Sequence, residues 1–289
     1  MSETLSKAPA EVAARIDYLL PTSLINRRFW APGEEYNTGV YQPYDVVIRN
    51  ARLAGPFDID VHGFCIAQHT TAVTDWDANY GPDSAYAAEV VAAVAGLTGA
   101  DLVLPMGGMV RTSGLTSATM QPPAAEAHVD FTTRSAQMVA ERVYRKARPD
   151  GAGYDRFICF SLWRVLSPPP QDMPLALCEA GSVRDDEGTA NTKVDVDVIP
   201  TGDALFAPIP GEENMVAATI FRHSPDHRWW YFPDMTPDEV IFIKFHDSDH
   251  SRAWRAPHTA FRDTSRPDAH ERRSMEFRGV AYFTKDAAA

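Results

Sequence analysis

His128-Val129-Asp130, followed far downstream by His258 and then by Arg272-Arg273-Ser274, brings together residue types that suit a redox-active metal. Two neutral imidazoles and one carboxylate can hold a ferrous ion on one face and leave the opposite face open, the arrangement of non-haem iron oxygenases. An arginine shortly after the second histidine suits the far carboxylate of a bound 2-oxo diacid, because its planar fork grips a carboxylate through two parallel hydrogen bonds. A His-x-Asp triplet alone is weak, since a surface histidine beside a helix-capping aspartate produces the same three letters. The elements that position these stretches therefore matter.

At the end of a strand, His128 and Asp130 project to the same side. Thr132-Thr133 can then cap a helix over Thr133–Ala147, with Ala136, Ala140, Val143 and Ala147 on one face and Arg142, Arg145 and Lys146 mostly off it. The second histidine must come from His223, His227, His246, His250, His258 and His270. His223 and His227 bracket Ser224-Pro225-Asp226, a turn whose proline argues against the helix needed to align them. His246-Asp247-Ser248-Asp249-His250 reads as a solvated turn. His258 sits in the apolar Ala256-Pro257-His258-Thr259-Ala260-Phe261, which favours a buried group; a satisfied core histidine fits there equally. What distinguishes it is the next strand, where Arg272, Ser274, Glu276 and Arg278 share one face and Met275, Phe277, Ala281 and Phe283 the other. Such a strand lines a polar cavity or forms a solvent-facing edge, and alternation does not choose between them.

The remaining chain supplies a β-rich frame. Residues 1–16 read as a frayed or helical leader, and Ile16 to Arg52 as turns and short strands. Residues 44–49 and 58–68 alternate like half-buried strands. Gly81-Pro82-Asp83-Ser84 supplies a turn and cap for a helix through Leu97 that Gly99 stops, and Leu102 to Met106 forms a short buried strand. Strand-like runs then cover Arg156–Leu166, Ala176–Cys178, Ala217–Arg222, Trp229–Phe232, Glu239–Phe245 and Ser274–Phe283. With 22 prolines punctuating such runs, the second half predicts antiparallel β, a jelly roll or double-stranded β-helix, with helices of the first half packed outside it. One domain over residues 1–289 is expected, with the metal and cosubstrate motifs in about 125–283.

A net charge of −12 argues against nucleic-acid and anionic-membrane surfaces, which repel a polyanion. The longest apolar run, Ala85 to Leu97, is interrupted by Glu89 and Gly96 and is too short to span a bilayer. The N-terminal sequence lacks the apolar core of a secretory signal. Cys65, Cys159 and Cys178, odd in number and without ligand-like spacing, fit reduced thiols in a cytoplasmic protein.

From about Ile16 to Phe283 the chain resembles the family of the fungal aspergillic-acid hydroxylase/desaturase, the gibberellin desaturase-like proteins and the cephamycin 7α-methoxylation accessory protein. The resemblance runs through Phe57–Phe64, Val73–Trp76, Tyr86 with Glu89, Thr98–Ala100, His128–Asp130 and Trp163-Arg164. It continues through Pro174–Cys178, Trp230-Tyr231, Lys244 with Asp247-Ser248, Pro257–Phe261 and Arg272–Arg278. Departures fall at Ser161, where Asn is expected, at Glu179 for Asp, and at His246 in an aromatic position; they bear on the substrate pocket.

The resemblance implies a double-stranded β-helix enzyme using Fe(II), 2-oxoglutarate and O2 on a small molecule of specialised metabolism. It assigns His128, Asp130 and His258 as metal ligands and Arg272, with Ser274, to the cosubstrate, Arg278 being the competing arginine. Hydroxylation, desaturation or ring closure would follow hydrogen removal from an unactivated carbon. Trp163, Arg164, Arg111 and Trp230 are candidates to contact substrate; Arg164 fits a structural ion pair as well, and Trp230 core packing. A non-catalytic accessory subunit and an iron enzyme working without the oxo acid are the alternatives. The sequence leaves the oligomeric state open, a homo-oligomer included.

Overall fold

Side chains alternating along a few long strands decide the architecture. The computed structural model describes residues 7–116 and 120–284, which form sixteen strands and two α-helices. The first eight strands are β1 (Glu11–Leu19), β2 (Arg27–Ala31), β3 (Glu34–Asn37), β4 (Tyr41–Asn50), β5 (Phe64–Gln68), β6 (Leu102–Thr112), β7 (Met120–Gln121) and β8 (His128–Val129). The others are β9 (Arg156–Val165), β10 (Leu175–Cys178), β11 (Thr189–Asp195), β12 (Ala217–Ile220), β13 (Trp229–Tyr231), β14 (Glu239–Asp247), β15 (His258–Ala260) and β16 (Arg273–Phe283). The helices are α1 (Ala85–Thr98) and α2 (Thr133–Ala147).

Ten strands form one sheet in the order β1-β4-β13-β10-β15-β8-β12-β11-β2-β3, and six form the other in the order β5-β14-β9-β16-β6-β7. Pairing is antiparallel except at β2–β11, β4–β13 and β6–β7. The two sheets make a jelly roll, as expected. On β9 and β14, Cys159, Trp163, Val165, Ile241, Ile243 and Phe245 face inward with Leu175 and Leu177 of the larger sheet. Ile158, Phe160, Leu162, Val240 and Phe242 face outward and pack, with Met275 and Phe277, on Tyr86, Val90 and Val94 of α1. Both faces of these central strands are covered, so their sequences read as continuous apolar runs rather than alternating ones.

Both helices are capped at the residues their sequences suggest. Ser84 Oγ accepts from Ala87 N at 3.2 Å, and Gly99 ends α1 at φ 70°. Thr132 Oγ1 accepts from Ser135 N at 3.1 Å. Their placement differs. Only α1 lies outside the smaller sheet; α2 packs into the inward-facing core, with Val139, Ala140 and Tyr144 beside Phe157, Val280 and Tyr282. The buried stripe of α2 is centred on Ser135, Ala136, Val139, Ala140 and Tyr144, and Ala147 is exposed. Tyr144 outweighs the small alanines in choosing the inward face, because its ring removes far more apolar surface from water.

Several other expectations are corrected. Residues 1–6 of the expected leader lie outside the described residues, but Glu11–Ile16 open β1 and pair along β4. Residues 59–62 form a turn, and the strand starts only at Phe64, because Asp58 Oδ1 and the His62 ring engage local backbone amides. β6 runs on to Thr112 against β16. β11 arises from Thr-Ala-Asn-Thr-Lys-Val-Asp, a run with little apolar content that is held between β2 and β12. His246-Asp247 is no solvated turn: Asp247 is fully buried and pairs with Lys244 Nζ at 2.7 Å and with Arg156.

Candidate metal centre

Three short strands side by side in the larger sheet build the site. β8 lies between β15 and β12, which places His128 directly between His258 on one side and Ile220 on the other. His128 Nδ1 pairs with Glu126 O at 2.8 Å and His258 Nδ1 with Ala256 O at 3.1 Å. A ring nitrogen that donates to a carbonyl leaves the other as the lone-pair nitrogen, so both Nε2 atoms are available as ligands. They lie 3.5 and 3.8 Å from Asp130 Oδ1, and one ligand atom from each of the three residues falls within 4.8 Å of the others. Phe245 stacks on His258 at 5.3 Å between centroids and fixes that ring's tilt.

The electrostatics favour a cation. Burial opposes charge on Asp130, but Arg278, His128 and His258 outweigh it and hold the carboxyl well below the usual carboxylate range. Burial likewise disfavours a charged His128, yet Asp130 and Glu126 raise its pKa above the ordinary value. His258 is pushed down to about 4, first by burial and then by His128. An ionised carboxylate beside one imidazole kept neutral and another drawing positive charge is a donor set that a dication satisfies.

A narrow cleft between the sheets, partly open to solvent, has walls that include His128, His258, Arg111, Trp163, Arg272 and Glu276. Arg272 is buried; its Nη1 donates to Met173 O at 2.8 Å, and its guanidinium lies 5.6 Å from the Trp163 ring centroid. Its Nε, Ser274 Oγ and Ser161 Oγ are buried with no hydrogen-bond partner among the described residues. Burial, then the nearby Arg111, pulls the Arg272 pKa down to about 9. A buried guanidinium with an unpartnered Nε and no paired carboxylate is costly unless an anion binds there. The residues therefore fit a carboxylate ligand as well as a metal.

A family model described as an oxidoreductase/YMDC permease-like domain matches residues 17–282. The chain belongs to that family. Within it, the hydroxylase/desaturase CTB9 of Cercospora beticola is 31% identical over 245 residues, covering 76% of this chain and 71% of that protein. The hydroxylase/desaturase efuI of Hormonema carpetanum is 29% identical over 266 residues, covering 86% of this chain and 85% of that protein. The solved structure of the iron and alpha-ketoglutarate-dependent endoperoxidase NvfI shares the fold, with a TM-score of 0.75 at 22% identity over 96% of this chain and all of that one. No helix among the described residues is long and apolar enough to cross a membrane.

In this member of the family, two sequence-derived substrate candidates lie away from the cleft. Arg164 points to the opposite face of β9, where it donates to Tyr86 Oη at 3.0 Å, to His69 O at 2.9 Å and to Pro237 O, and contacts the His69 ring. Adjacent residues on a strand face opposite ways, so Trp163 can line the cleft only if Arg164 does not. Trp230 packs against Phe57 and hydrogen-bonds Glu179 Oε2 at 3.3 Å. The other candidate histidines also lie elsewhere: His223 stacks on Tyr44, and His227 joins Tyr18 and Glu187. Ser161, a departure from the family pattern that bears on the substrate pocket, lines the cleft, and its shared parity with Trp163 on β9 is the signal for that.

Proposed function

We propose that this chain, acting as a single domain, is an Fe(II)- and 2-oxoglutarate-dependent oxygenase that oxidises an unactivated carbon of a small organic molecule, as hydroxylase or desaturase. The observation that carries this reading is one cleft lined by two imidazoles whose Nε2 atoms turn toward Asp130 and by a buried arginine with an unpartnered Nε, Asp130 completing the donor set. His128, Asp130 and His258 would hold the iron. Arg272 would take the far carboxylate of the oxo acid, with Ser274 or Ser161 donating a second hydrogen bond. Iron, oxo acid and dioxygen together supply the oxidising power, the oxo acid leaving as succinate and carbon dioxide.

The chain's own contribution is placement. The sheets exclude water from the rear of the cleft with Leu175, Ile243 and Ala260, while Trp163 and Arg111 present an aromatic face and a charge toward substrate. Arg278, His128 and His258 favour the ionised form of Asp130 against its burial. Three free thiols, Cys65, Cys159 and Cys178, suit a reducing cytoplasm.

The test is turnover of 2-oxoglutarate to succinate by the purified protein under air, with and without added Fe(II). Iron-dependent succinate release that is abolished in Asp130→Ala is the expected result. Undiminished release in that variant contradicts the ligand assignment. Iron binding without oxo-acid consumption would indicate an iron enzyme of another kind, and absence of both an accessory subunit.

A further inference from the structure

Resting on the proposed iron site, we infer that Arg278 is a positioning residue that turns Asp130 so that one carboxylate oxygen faces the metal and the other is held away from it. The two oxygens of Asp130 have different surroundings. Oδ1 lies 3.5 and 3.8 Å from the Nε2 atoms of His128 and His258, whereas Oδ2 lies 2.7 Å from Arg278 Nη2. That contact is an ion pair rather than a well-directed hydrogen bond, since Oδ2 receives no hydrogen bond of good geometry. It confines the carboxylate to presenting a single oxygen to the histidines. A carboxylate free to rotate can chelate through both oxygens and occupy a position that an exchangeable ligand needs.

Arg278 is itself held in place. Its Nε and Nη2 both lie 2.6 Å from Glu276 Oε1, and Glu276 Oε2 accepts from Arg111 Nε at 3.0 Å. Both oxygens of Glu276 are thereby engaged, which keeps this inward-facing carboxylate off the metal and aims the Arg278 fork at Asp130. The result is a chain of alternating charge, Arg111–Glu276–Arg278–Asp130, running from the cleft wall to the metal-binding residues. Strand parity builds it, because Glu276 and Arg278 face inward from β16 and Arg111 lies on the adjacent β6. Arg278 is about a third exposed and packs over Phe245 with 5.9 Å from guanidinium to ring centroid. It belongs to the inward face, so its replacement leaves the outward-facing core intact.

The experiment titrates Co(II), a spectroscopic probe for this kind of site, into the metal-free full chain of the wild type, R278K, R278Q, E276Q and R278Q/E276Q, with circular dichroism to confirm folding. Loss of a residue that orients a ligand costs about 10- to 100-fold in metal affinity. R278Q is therefore expected to raise the Co(II) dissociation constant by about tenfold and to alter the visible d–d bands, with R278K intermediate. The double variant should be no worse than R278Q, because Glu276 acts through Arg278. R278Q spectra superimposable on those of a cobalt-binding wild type, with a dissociation constant within about twofold, overturn this inference alone. A wild type that takes up no cobalt overturns the ligand assignment and this inference together. If R278Q does not fold, the folded R278K and E276Q decide: wild-type spectra and affinity in both overturn the inference.

Discussion

At the scale of single residues, the cleft is defined by groups left unsatisfied. Most buried charges of this protein are paired: Lys244 with Asp60 and Asp247, Arg27 with Glu212, Arg52 with Glu239. Arg164 and Arg255 are buried without a carboxylate but donate to several carbonyls, whereas Arg272 has one carbonyl acceptor and an unpartnered Nε, yet its backbone is pinned by Ser113 Oγ and Asp172 Oδ1 at 2.8 and 2.9 Å. A rigidly held, unpaired guanidinium is prepared for an anion. Arg272→Ala is therefore predicted to raise the 2-oxoglutarate concentration for half-maximal turnover by on the order of 30-fold or more, the loss of a buried charge pair worth roughly 2–5 kcal/mol. Steady-state kinetics with varied oxo acid checks this. An unchanged requirement in Arg272→Ala with a raised one in Arg278→Ala would assign the cosubstrate to the other arginine.

At the scale of elements, β9, β14, β16 and both helices were legible because their cues are local. Ser84 and Gly99 bracket α1, Thr132 opens α2, and the apolar runs of β9, β14 and β16 announce themselves. The convergence of His128, Asp130 and His258 was hinted at by the alternation of the strand after His258 and assigned only by the family resemblance. β8 and β15, which bring the histidines together, are two and three residues long and carry no periodicity of their own. β11 escaped for a related reason, its stability coming from neighbouring strands rather than from its composition, whereas β1 does alternate through Val12, Ile16 and Tyr18 and was hidden by its place near the N-terminus. The face of Arg164 was fixed once Trp163 was placed inward, but sequence could not say which of the two pointed in. The pairing of β16 with β6 also leaves a checkable mark. A Cβ on Gly108 would lie 2.8 Å from Phe277 Cδ2 and 2.9 Å from the Glu276 carbonyl oxygen, so the strands can approach only over glycine. Gly108→Ala should destabilise the fold by roughly 1–3 kcal/mol in urea unfolding. A midpoint equal to wild type would show that β16 shifts freely, against the rigid backing drawn here for Glu276 and Arg278.

At the scale of the whole molecule, the acidic chain encloses histidines that resist protonation. Burial, and then His250, push His246 down to about 3 from an ordinary 6.5. Below pH 6.5 the unfolded chain takes up a proton there that the folded chain refuses until about pH 3. The stability present above 6.5 is thus lost as pH falls through that window, by at most roughly 1.4 kcal/mol per pH unit from this group. Glu276, bracketed by arginines and held at about 2 despite its burial, adds a further loss only below its ordinary 4.5. His246→Phe, which fills the same space among Phe157, His250 and Trp254, should flatten the decline between pH 6.5 and 4.5 in urea titrations; an unaltered slope would locate the acid sensitivity elsewhere. The central claim, that one cleft holds ferrous iron and 2-oxoglutarate together, is tested most directly by anaerobic optical titration of the purified protein. The account predicts a weak visible charge-transfer band that requires both additions and is absent from His258→Ala. Wild-type protein that gives no band with both present, or a band that persists in His258→Ala, would contradict it.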